Sequence, residues 1–203
     1  MLEFASLGAG VLHNRSVEMA KKYNVPLVVR SSLNEEEGTI VKGEVKVEKM
    51  LVSGVTSDKD IVNITVESIK SDKGAAFHLF NLLAKYNINV DVILQSEGND
   101  DCTNISFTIN KDNENETVKL IEENFNNYKN IKIQKNIAKV SIVGAGMRTD
   151  AGVAAKMFEA LYDEGISIKM ISTSEIRVSV LIDEAMVNKA LESISKKFAL
   201  ENI

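Results

Sequence analysis

Two short turns carry the residue types and spacing that best suit ligand chemistry. Asp72 and Gly74 stand between a strand-like alternation and a helical pattern, and Asp150 and Gly152 stand in the same position further along the chain. The first turn of a helix presents unpaired backbone N–H groups and a partial positive charge, and a glycine lets a ligand approach the backbone. Such a turn suits a carboxylate or a phosphate. An aspartate before a helix is also a common N-cap, so each turn keeps a purely structural interpretation.

A second set of polar residues follows each predicted helix. Asn89, Asp91 and Gln95 lie on the strand-like segment after the first helix, where a carboxylate and amides could bind an ammonium group. Their counterparts after the second helix are Ser167, Lys169, Ser174 and Glu175. Polar residues that alternate with core residues on a half-buried strand produce the same pattern, so the spacing alone favours neither interpretation.

The two turns are equivalent because the chain repeats itself. A shift of 78 residues superimposes residues 62–96 on 140–174 without a gap, with ten identities in 35 positions. Each copy predicts a strand, a helix, two strands and a second helix, and residues 131–134 add a fourth strand to the first copy. The second copy lacks this strand, and residues 51–56 are the nearby strand-like segment that could supply it. The sequence therefore predicts an α+β fold of two ferredoxin-like βαββαβ modules, the first inserted within the second. The predicted boundaries are 61–136 for the first module and 50–60 plus 137–203 for the second.

The first 45 residues precede the repeat. Apolar patterns predict helices over 2–12 and 16–23, and residues 25–29 form a continuous apolar run typical of a strand in a parallel sheet. No other strand is predicted here for this run to join. We therefore interpret residues 1–45 as the end of an α/β domain that lies upstream, with residues 31–43 as a linker.

Composition excludes several classes of function. The chain has 203 residues and a net charge of −5, so its composition does not indicate the basic surface with which proteins neutralise nucleic-acid phosphates, and we expect no nucleic-acid partner. No window approaches the roughly 18–20 apolar residues of a membrane span, and no signal peptide is evident, so we expect a cytoplasmic protein without membrane contact. One cysteine and two histidines, Cys102, His13 and His78, exclude an internal disulfide and predict neither a metal site nor a nucleophile–base pair.

A glycine motif offers one enzymatic alternative. Gly144 and Gly146 follow a predicted strand, as in dinucleotide-binding proteins. That motif needs a third glycine where this chain has Thr149, and an acidic residue about twenty positions on, where it has Lys169 and Met170. These two departures from the motif argue against a phosphate- or dinucleotide-binding enzyme, which we keep as an alternative hypothesis.

Three stretches of the chain closely resemble one known family. They are LGAGVLHNRSVEMAKKYNVPLVVRSS at 7–32, KVSIVGAGMRTDAGVAAKMFEAL at 139–161 and ISTSEIRVSVLID at 171–183. These stretches resemble the C-terminal part of bacterial aspartate kinase, which carries tandem ACT domains. The resemblance covers essentially the whole chain, and the combination of GAGM, an AGVAAKMFEAL-type helix and ISTSEI is specific to that family.

The resemblance implies an activity and the part of the enzyme present here. Aspartate kinases transfer the γ-phosphate of ATP to the side-chain carboxylate of aspartate, the committed step toward lysine, threonine and methionine. Residues 1–45 would then end the kinase domain, and the core that uses ATP and Mg would lie outside this chain, which itself has no catalytic residues and no cofactor. The chain would be either a fragment or a separately made regulatory subunit. Its expected partners are lysine, threonine or both, a second copy of itself, and the catalytic domain or subunit.

The resemblance also implies where a feedback inhibitor binds. In the family, lysine or threonine binds where ACT modules of two chains pair side by side. The matching residues of the first module are Ser71, Asp72, Lys73, Gly74, Ala75 and Ala76 for the α-carboxylate, and Asn89, Val90, Asp91 and Gln95 for the amino group and side chain. Those of the second module, at the matching interface, are Met147, Thr149, Val153, Ser167, Ile168, Ser174 and Glu175. The chain departs from the family's D-x-P-G-V-A turn at Lys73 and Ala75. A dimerisation module without a ligand is the alternative function.

Overall fold

Two four-stranded sheets and a two-stranded hairpin organise the part of the chain that the structure describes. The structure is a computed structural model, and it describes residues 1–43, 51–70, 74–98, 101–144, 147, 150 and 152–200. In chain order the elements are α1 (Leu2–Ser6), α2 (Asn14–Lys22), β1 (Leu27–Val29), β2 (Thr39–Val41), β3 (Gly54–Asp58), β4 (Ile61–Lys70), α3 (Ala75–Lys85), β5 (Ile93–Glu97), β6 (Cys102–Asn110), α4 (Glu114–Asn124), β7 (Asn130–Gln134), β8 (Ile137–Val143), α5 (Gly152–Asp163), β9 (Met170–Thr173), β10 (Arg177–Asp183) and α6 (Val187–Lys197). Within the described ranges, every helix is too short or too polar to cross a lipid bilayer.

The first module is a sheet in the order β5-β6-β4-β7 with the helices α3 and α4. Successive side chains of a strand face opposite sides of the sheet, so alternate residues of β4 can enter one core. Val62, Ile64 and Val66 do so, and they join Leu79 and Leu83 of α3 in one buried cluster. The strand, helix and α+β fold predicted for this module are therefore confirmed.

The second module takes its first strand from before the first module. Its sheet has the order β3-β8-β10-β9. β3 pairs antiparallel with β8, with Gly54 opposite Val143 and Asp58 opposite Lys139. β8 is buried along its whole length, so this pairing is part of the core. The predicted insertion of the first module within the second is confirmed, although the strand begins at Gly54 and not at the start of 51–56.

The chain divides into two compact units that follow this insertion. One unit comprises Met1–Asp58, Lys139–Ile182 and Met186–Ile203, and the other comprises Lys59–Ala138 and Asp183–Ala185. The residue-level boundaries given by the repeat stay predictions.

The segment after α1 packs against β3. The helix is shorter than the predicted 2–12, because Gly8 has a φ of +91°, in the left-handed region that ends a helix. The Thr56 hydroxyl donates a hydrogen bond to the carbonyl oxygen of Leu7 at 3.3 Å. A Cβ at Gly8 would lie 2.8 Å from the carbonyl oxygen of Ser57, so only glycine permits this close approach.

The apolar run at 25–29 does find a strand to pair with. β1 pairs antiparallel with β2, with Val28 opposite Ile40, so the expectation that the run has no sheet to join is wrong. Gly38 has a φ of +79°, and a Cβ there would overlap the carbonyl oxygen of Val29. The glycine therefore lets the chain turn back close to β1, and the stretch predicted as a linker contains a strand.

Candidate functional site

The turn before α3 is the first part of the predicted site. Three of its residues lie outside the described part of the chain, namely Ser71, Asp72 and Lys73. Gly74 has a φ of +131°, which strains any other residue, and its carbonyl oxygen accepts the His78 N–H at 2.8 Å. Ala75 and Ala76 pack against the core of the first module. The described half of the turn thus combines a glycine with short side chains at the start of a helix.

The segment before β5 is the second part of the predicted site. The N–H of Asp91 donates to the carbonyl oxygen of Thr108 at 3.1 Å, and the N–H of Val92 donates to the Thr108 hydroxyl at 3.0 Å. These bonds fix the backbone. Val92 is buried, Val90 is half-buried, and the side chains of Asn89 and Asp91 are exposed. The segment therefore presents a carboxylate and an amide to solvent from a fixed backbone.

β5 is an outer strand of its sheet, and all five of its residues are exposed. Gln95 is central in the strand, opposite Ile105 of β6. Ile93 and Leu94 are 53% and 46% exposed. An outer strand offers unpaired backbone groups, and large apolar side chains on it favour contact with another polypeptide.

The strand register separates the two parts of the predicted site within one chain. Lys70, the last residue of β4, lies opposite Cys102 just before the turn. Asp91 instead bonds to Thr108, which lies six residues further along β6. Six strand residues span about 20 Å, so the end of β4, where the turn begins in the sequence, and Asp91 lie toward opposite ends of the same sheet. One free amino acid is too short to contact both within this module.

The turn before α5 is the counterpart in the second module. Thr149 lies outside the described residues, and Met147 is half-buried. A carboxylate oxygen of Asp150 accepts the N–H of Gly152 at 2.7 Å, so this aspartate satisfies a backbone N–H at the start of α5. Val153 is 2% exposed and belongs to the core. The structural interpretation of Asp150 is therefore the one that the geometry supports.

The remaining predicted residues of the second module lie on either side of β9. Ser167 and Ile168 precede the strand, and Ser174 and Glu175 form its turn into β10. All are exposed except Ile168, which is half-buried. The N–H of Gly144, at the end of β8, donates to the carbonyl oxygen of Ile176 at 2.9 Å. The register thus brings Ser174 and Glu175 to the end of the sheet where the turn before α5 begins, and leaves Ser167 at the other end.

Gly144 has a packing role that accounts for its identity. A Cβ at this position would overlap the carbonyl oxygen of Leu51 and lie 2.6 Å from the Cα of Val52. The chain before β3 therefore approaches the end of β8 so closely that a side chain is excluded. Ala145 and Gly146 lie outside the described residues. The first glycine of the motif is thus explained without a bound nucleotide.

The clearest pKa shifts belong to ion pairs outside the predicted site. A side-chain hydrogen bond from Lys132 lowers the pKa of Glu67, and desolvation only partly opposes this effect. A side-chain hydrogen bond to Glu159 raises the pKa of Lys197. Across the described residues, no three His, Cys, Asp or Glu side chains gather in a group that could hold a metal ion. These pairs join neighbouring strands or helices and stabilise the modules.

The repeat and the fold together define a class of protein. A sequence model of the ACT domain matches residues 62–125 and 140–198, which fall on the two βαββαβ modules. The chain is therefore a tandem ACT-domain protein.

Its relatives place it more narrowly. The aspartokinase of a Bacillus species is 47% identical over 203 residues, which cover 98% of this chain and 49% of that protein. The ligand-free regulatory subunit of aspartate kinase from Thermus thermophilus superimposes with a TM-score of 0.69 at 35% identity, over 73% of this chain and 99% of that chain. A crystal structure of aspartokinase alpha and beta subunits matches with a TM-score of 0.67 at 39% identity, over the same shares. The chain belongs to the aspartokinase family and corresponds to its regulatory ACT region. It spans about half the length of the curated relatives it matches.

Proposed function

We propose that this chain is a feedback sensor of lysine, threonine or both, and that it senses them as a homodimer. The observation that carries the proposal is the separation of Gly74 from Asp91, which lie toward opposite ends of the first sheet. Antiparallel pairing of two β5 strands around a twofold axis places the start of one strand beside the end of the other. The turn of one copy would then lie toward the Asp91 of the second copy, and each dimer would complete two sites.

The edges of the sheets differ in how well they suit such pairing. Lys132 lies on β7, and Lys129 and Lys135 flank that strand, so its edge carries charges that oppose pairing. β5 instead exposes Ile93 and Leu94. It is therefore the edge of the first module best suited to a second copy of the chain.

The two parts of the site suit the two ends of an amino acid. The N-terminus of α3, opened by Gly74, favours an α-carboxylate. The Asp91 carboxylate and the Gln95 amide oxygen can accept hydrogen bonds from an ammonium group. An effector held between copies would favour one arrangement of the dimer, and couplings of this kind are typically about 1–3 kcal/mol.

Thermal denaturation with amino acids tests the proposal. A ligand at about one hundred times its Kd adds about 2.7 kcal/mol to the free energy of unfolding. We expect L-lysine, L-threonine or both to raise the Tm of the chain, and D-lysine, with the same charge and composition, to leave it unchanged. If neither L-amino acid shifts the Tm at millimolar concentration, the sensor function is wrong for this chain.

The catalytic partner is part of the same proposal. The whole protein would phosphorylate L-aspartate with ATP to give 4-phospho-L-aspartate, and its kinase core would bind the ATP and Mg. Residues 1–43 would contact that core, because Val28 and Ile40 on the hairpin are 57% and 63% exposed. A cavity of about 410 Å³ also lies between α2 and the hairpin. We expect the protein to work in the cytoplasm.

A dimerisation module without a ligand is the second candidate function. The exposure of Ile93 and Leu94 favours it as well, because an apolar edge explains pairing without any effector. Sedimentation with and without lysine and threonine separates the two candidates. Dimerisation that is independent of both amino acids, together with an unchanged Tm, would favour the simpler module.

A further inference from the structure

An open cleft between α3 and the loop after α4 combines cationic and amide groups. Its volume is about 560 Å³, within the usual range for small-molecule sites. Its polar lining consists of His78, Asn81, Lys85, Asn124, Asn126 and Asn127. Of the described residues that line it, none is acidic, although the chain as a whole has a net charge of −5. The local charge thus favours an anionic occupant.

In the second module, a lysine bridges the two helices that correspond to α3 and α4. Lys197 is the last residue of α6, and its Nζ lies 3.0 Å from Oε2 of Glu159 and 3.7 Å from Oδ2 of Asp163, both on α5. These contacts bridge the two helices of the module. An internal cation therefore pairs with these two carboxylates.

The first module lacks this bridge. The shift of 78 residues places Asn81 at the position of Glu159 and Lys85 at the position of Asp163. The last residue of α4 is Asn124, and its side-chain amide donates to the carbonyl oxygen of Leu120 at 3.0 Å, within its own helix. Within the described ranges, Lys85 forms no ion pair across the groove. The cleft therefore leaves a cation and several amides for an external ligand.

We propose that this cleft binds a small phosphorylated metabolite that carries hydroxyl groups. Lys85 and an N–H of the His78 imidazole would bind the phosphate, since charge-assisted hydrogen bonds to phosphate are strong. The amides of Asn81, Asn126 and Asn127 can each donate and accept, which suits hydroxyl groups. A free amino acid fits less well, because its ammonium group would find no carboxylate among the described lining residues.

The walls of the cleft are tied to Lys70 and Gly74, which stand on either side of residues 71–73 in the sequence. On one wall, the N–H of His78 bonds to the carbonyl oxygen of Gly74. On the other, the carbonyl oxygen of Asn127 accepts the N–H of Lys70 at 3.1 Å. A ligand that bridges the walls would therefore fix the spacing between Lys70 and Gly74. This site goes beyond the proposed amino-acid sensor, because binding here requires no amino acid at the turn.

Isothermal titration with three probes tests the proposal. We expect ribose 5-phosphate to bind more tightly than inorganic phosphate, and ribose not to bind. Lys85→Gln should weaken the binding of ribose 5-phosphate at least about tenfold, because one charge-assisted hydrogen bond is lost. Lys156→Gln is the matched control, since it removes one positive charge from the equivalent helix of the second module and should leave the affinity unchanged.

A second variant transfers the bridge of the second module to the first. Asn81→Glu combined with Asn124→Lys leaves the net charge unchanged and should place an ion pair across the cleft, so that ribose 5-phosphate no longer binds while the circular dichroism spectrum is retained. Absence of binding to the unmodified chain, equal affinities for phosphate and ribose 5-phosphate, or equal losses in Lys85→Gln and Lys156→Gln would each overturn the proposal. Should the double variant fail to fold, the comparison of the two lysine variants decides the question.

Discussion

The Nζ of Lys139 lies 3.6 Å from Oδ2 of Asp58, across the pairing of β8 with β3, and only 3% of the Lys139 side chain is exposed. Asp58 is the last residue of β3, and Lys139 lies near the start of β8. The ion pair therefore joins the two points at which the chain leaves and re-enters the sheet of the second module. Burial of the lysine makes this pair more consequential than a surface salt bridge.

We expect Asp58→Asn to destabilise the second module more than Lys139→Met does. The first change removes a carboxylate partner from a buried ammonium group, whereas the second leaves a partly exposed carboxylate that water can solvate. The expected loss for Asp58→Asn is about 2 kcal/mol in the free energy of unfolding, measured by urea denaturation. Equal losses in the two variants would contradict this account.

Gly144→Ala should destabilise the chain by about 1–3 kcal/mol, a typical cost of overpacking. The added methyl group would overlap the backbone at Leu51, which cannot rotate away as a side chain can. Gly43→Ala is the control, since a Cβ there would meet only the Asn24 side chain at 3.7 Å. Urea denaturation of both variants is the measurement, and a Gly144→Ala chain as stable as the control would show that this packing role is wrong.

Asp91→Ala should weaken effector binding about 10–100-fold and leave the dimer intact. The carboxylate would no longer bind the ammonium group, while the backbone bond to Thr108 would persist. Asp112→Ala removes an acidic side chain from the start of the short turn after β6 and serves as the control. Titration calorimetry gives the affinity and sedimentation gives the oligomeric state. An unchanged affinity would remove Asp91 from the site.

Leu94→Lys should shift the chain toward the monomer. In a twofold-symmetric dimer, the new lysine of one copy would lie near the equivalent lysine of the other. Like charges at an interface oppose association. Ile133→Lys, at 37% exposure on the opposite edge of the same sheet, should leave the dimer unchanged. We expect the dimer dissociation constant of Leu94→Lys to rise at least about tenfold by sedimentation. Equal effects of both variants would argue against pairing through β5.

The Glu67–Lys132 pair predicts a pH dependence. The pKa of Glu67 is lowered in the folded chain by the hydrogen bond from Lys132, so the folded state binds its proton less readily than the unfolded state does. The stabilisation is therefore present above the ordinary glutamate pKa and is lost as the pH falls through the lowered value. Glu67→Gln should lower the Tm at neutral pH and have little effect near about pH 3. A Tm difference that is the same at both pH values would show that this pair does not contribute.

The repeat made most of the fold predictable from sequence. The match of Ile64 to Ile142 and of Leu83 to Leu161 assigns equivalent strands and helices to both modules. This assignment needs no information on strand pairing. The missing fourth strand of the second copy then predicted where β3 belongs. The internal symmetry was therefore informative, because it required a fourth strand in the second module and residues 51–56 could supply it.

Other features could not be predicted, because they depend on residues distant in sequence. In the sequence, Gly144 matches part of a nucleotide-binding motif. Its packing against the carbonyl oxygen of Leu51 depends on the tertiary structure. The pairing of Val28 with Ile40 depends on a turn at Gly38 that carries no hairpin pattern. For the site, the residue types were predicted from the sequence. The strand register then placed Gly74 and Asp91 far apart in one chain.

The pairing of Asp58 with Lys139 also has a consequence for the order of folding. These two residues are separated in sequence by the whole of residues 59–138, and closing a long flexible loop costs entropy that slows folding. If the inserted module folds first, it replaces that loop with a rigid body whose ends already meet. The slow step of the outer module then becomes a local hairpin-like closure, so variants that delay the inserted module should delay the assembly of both.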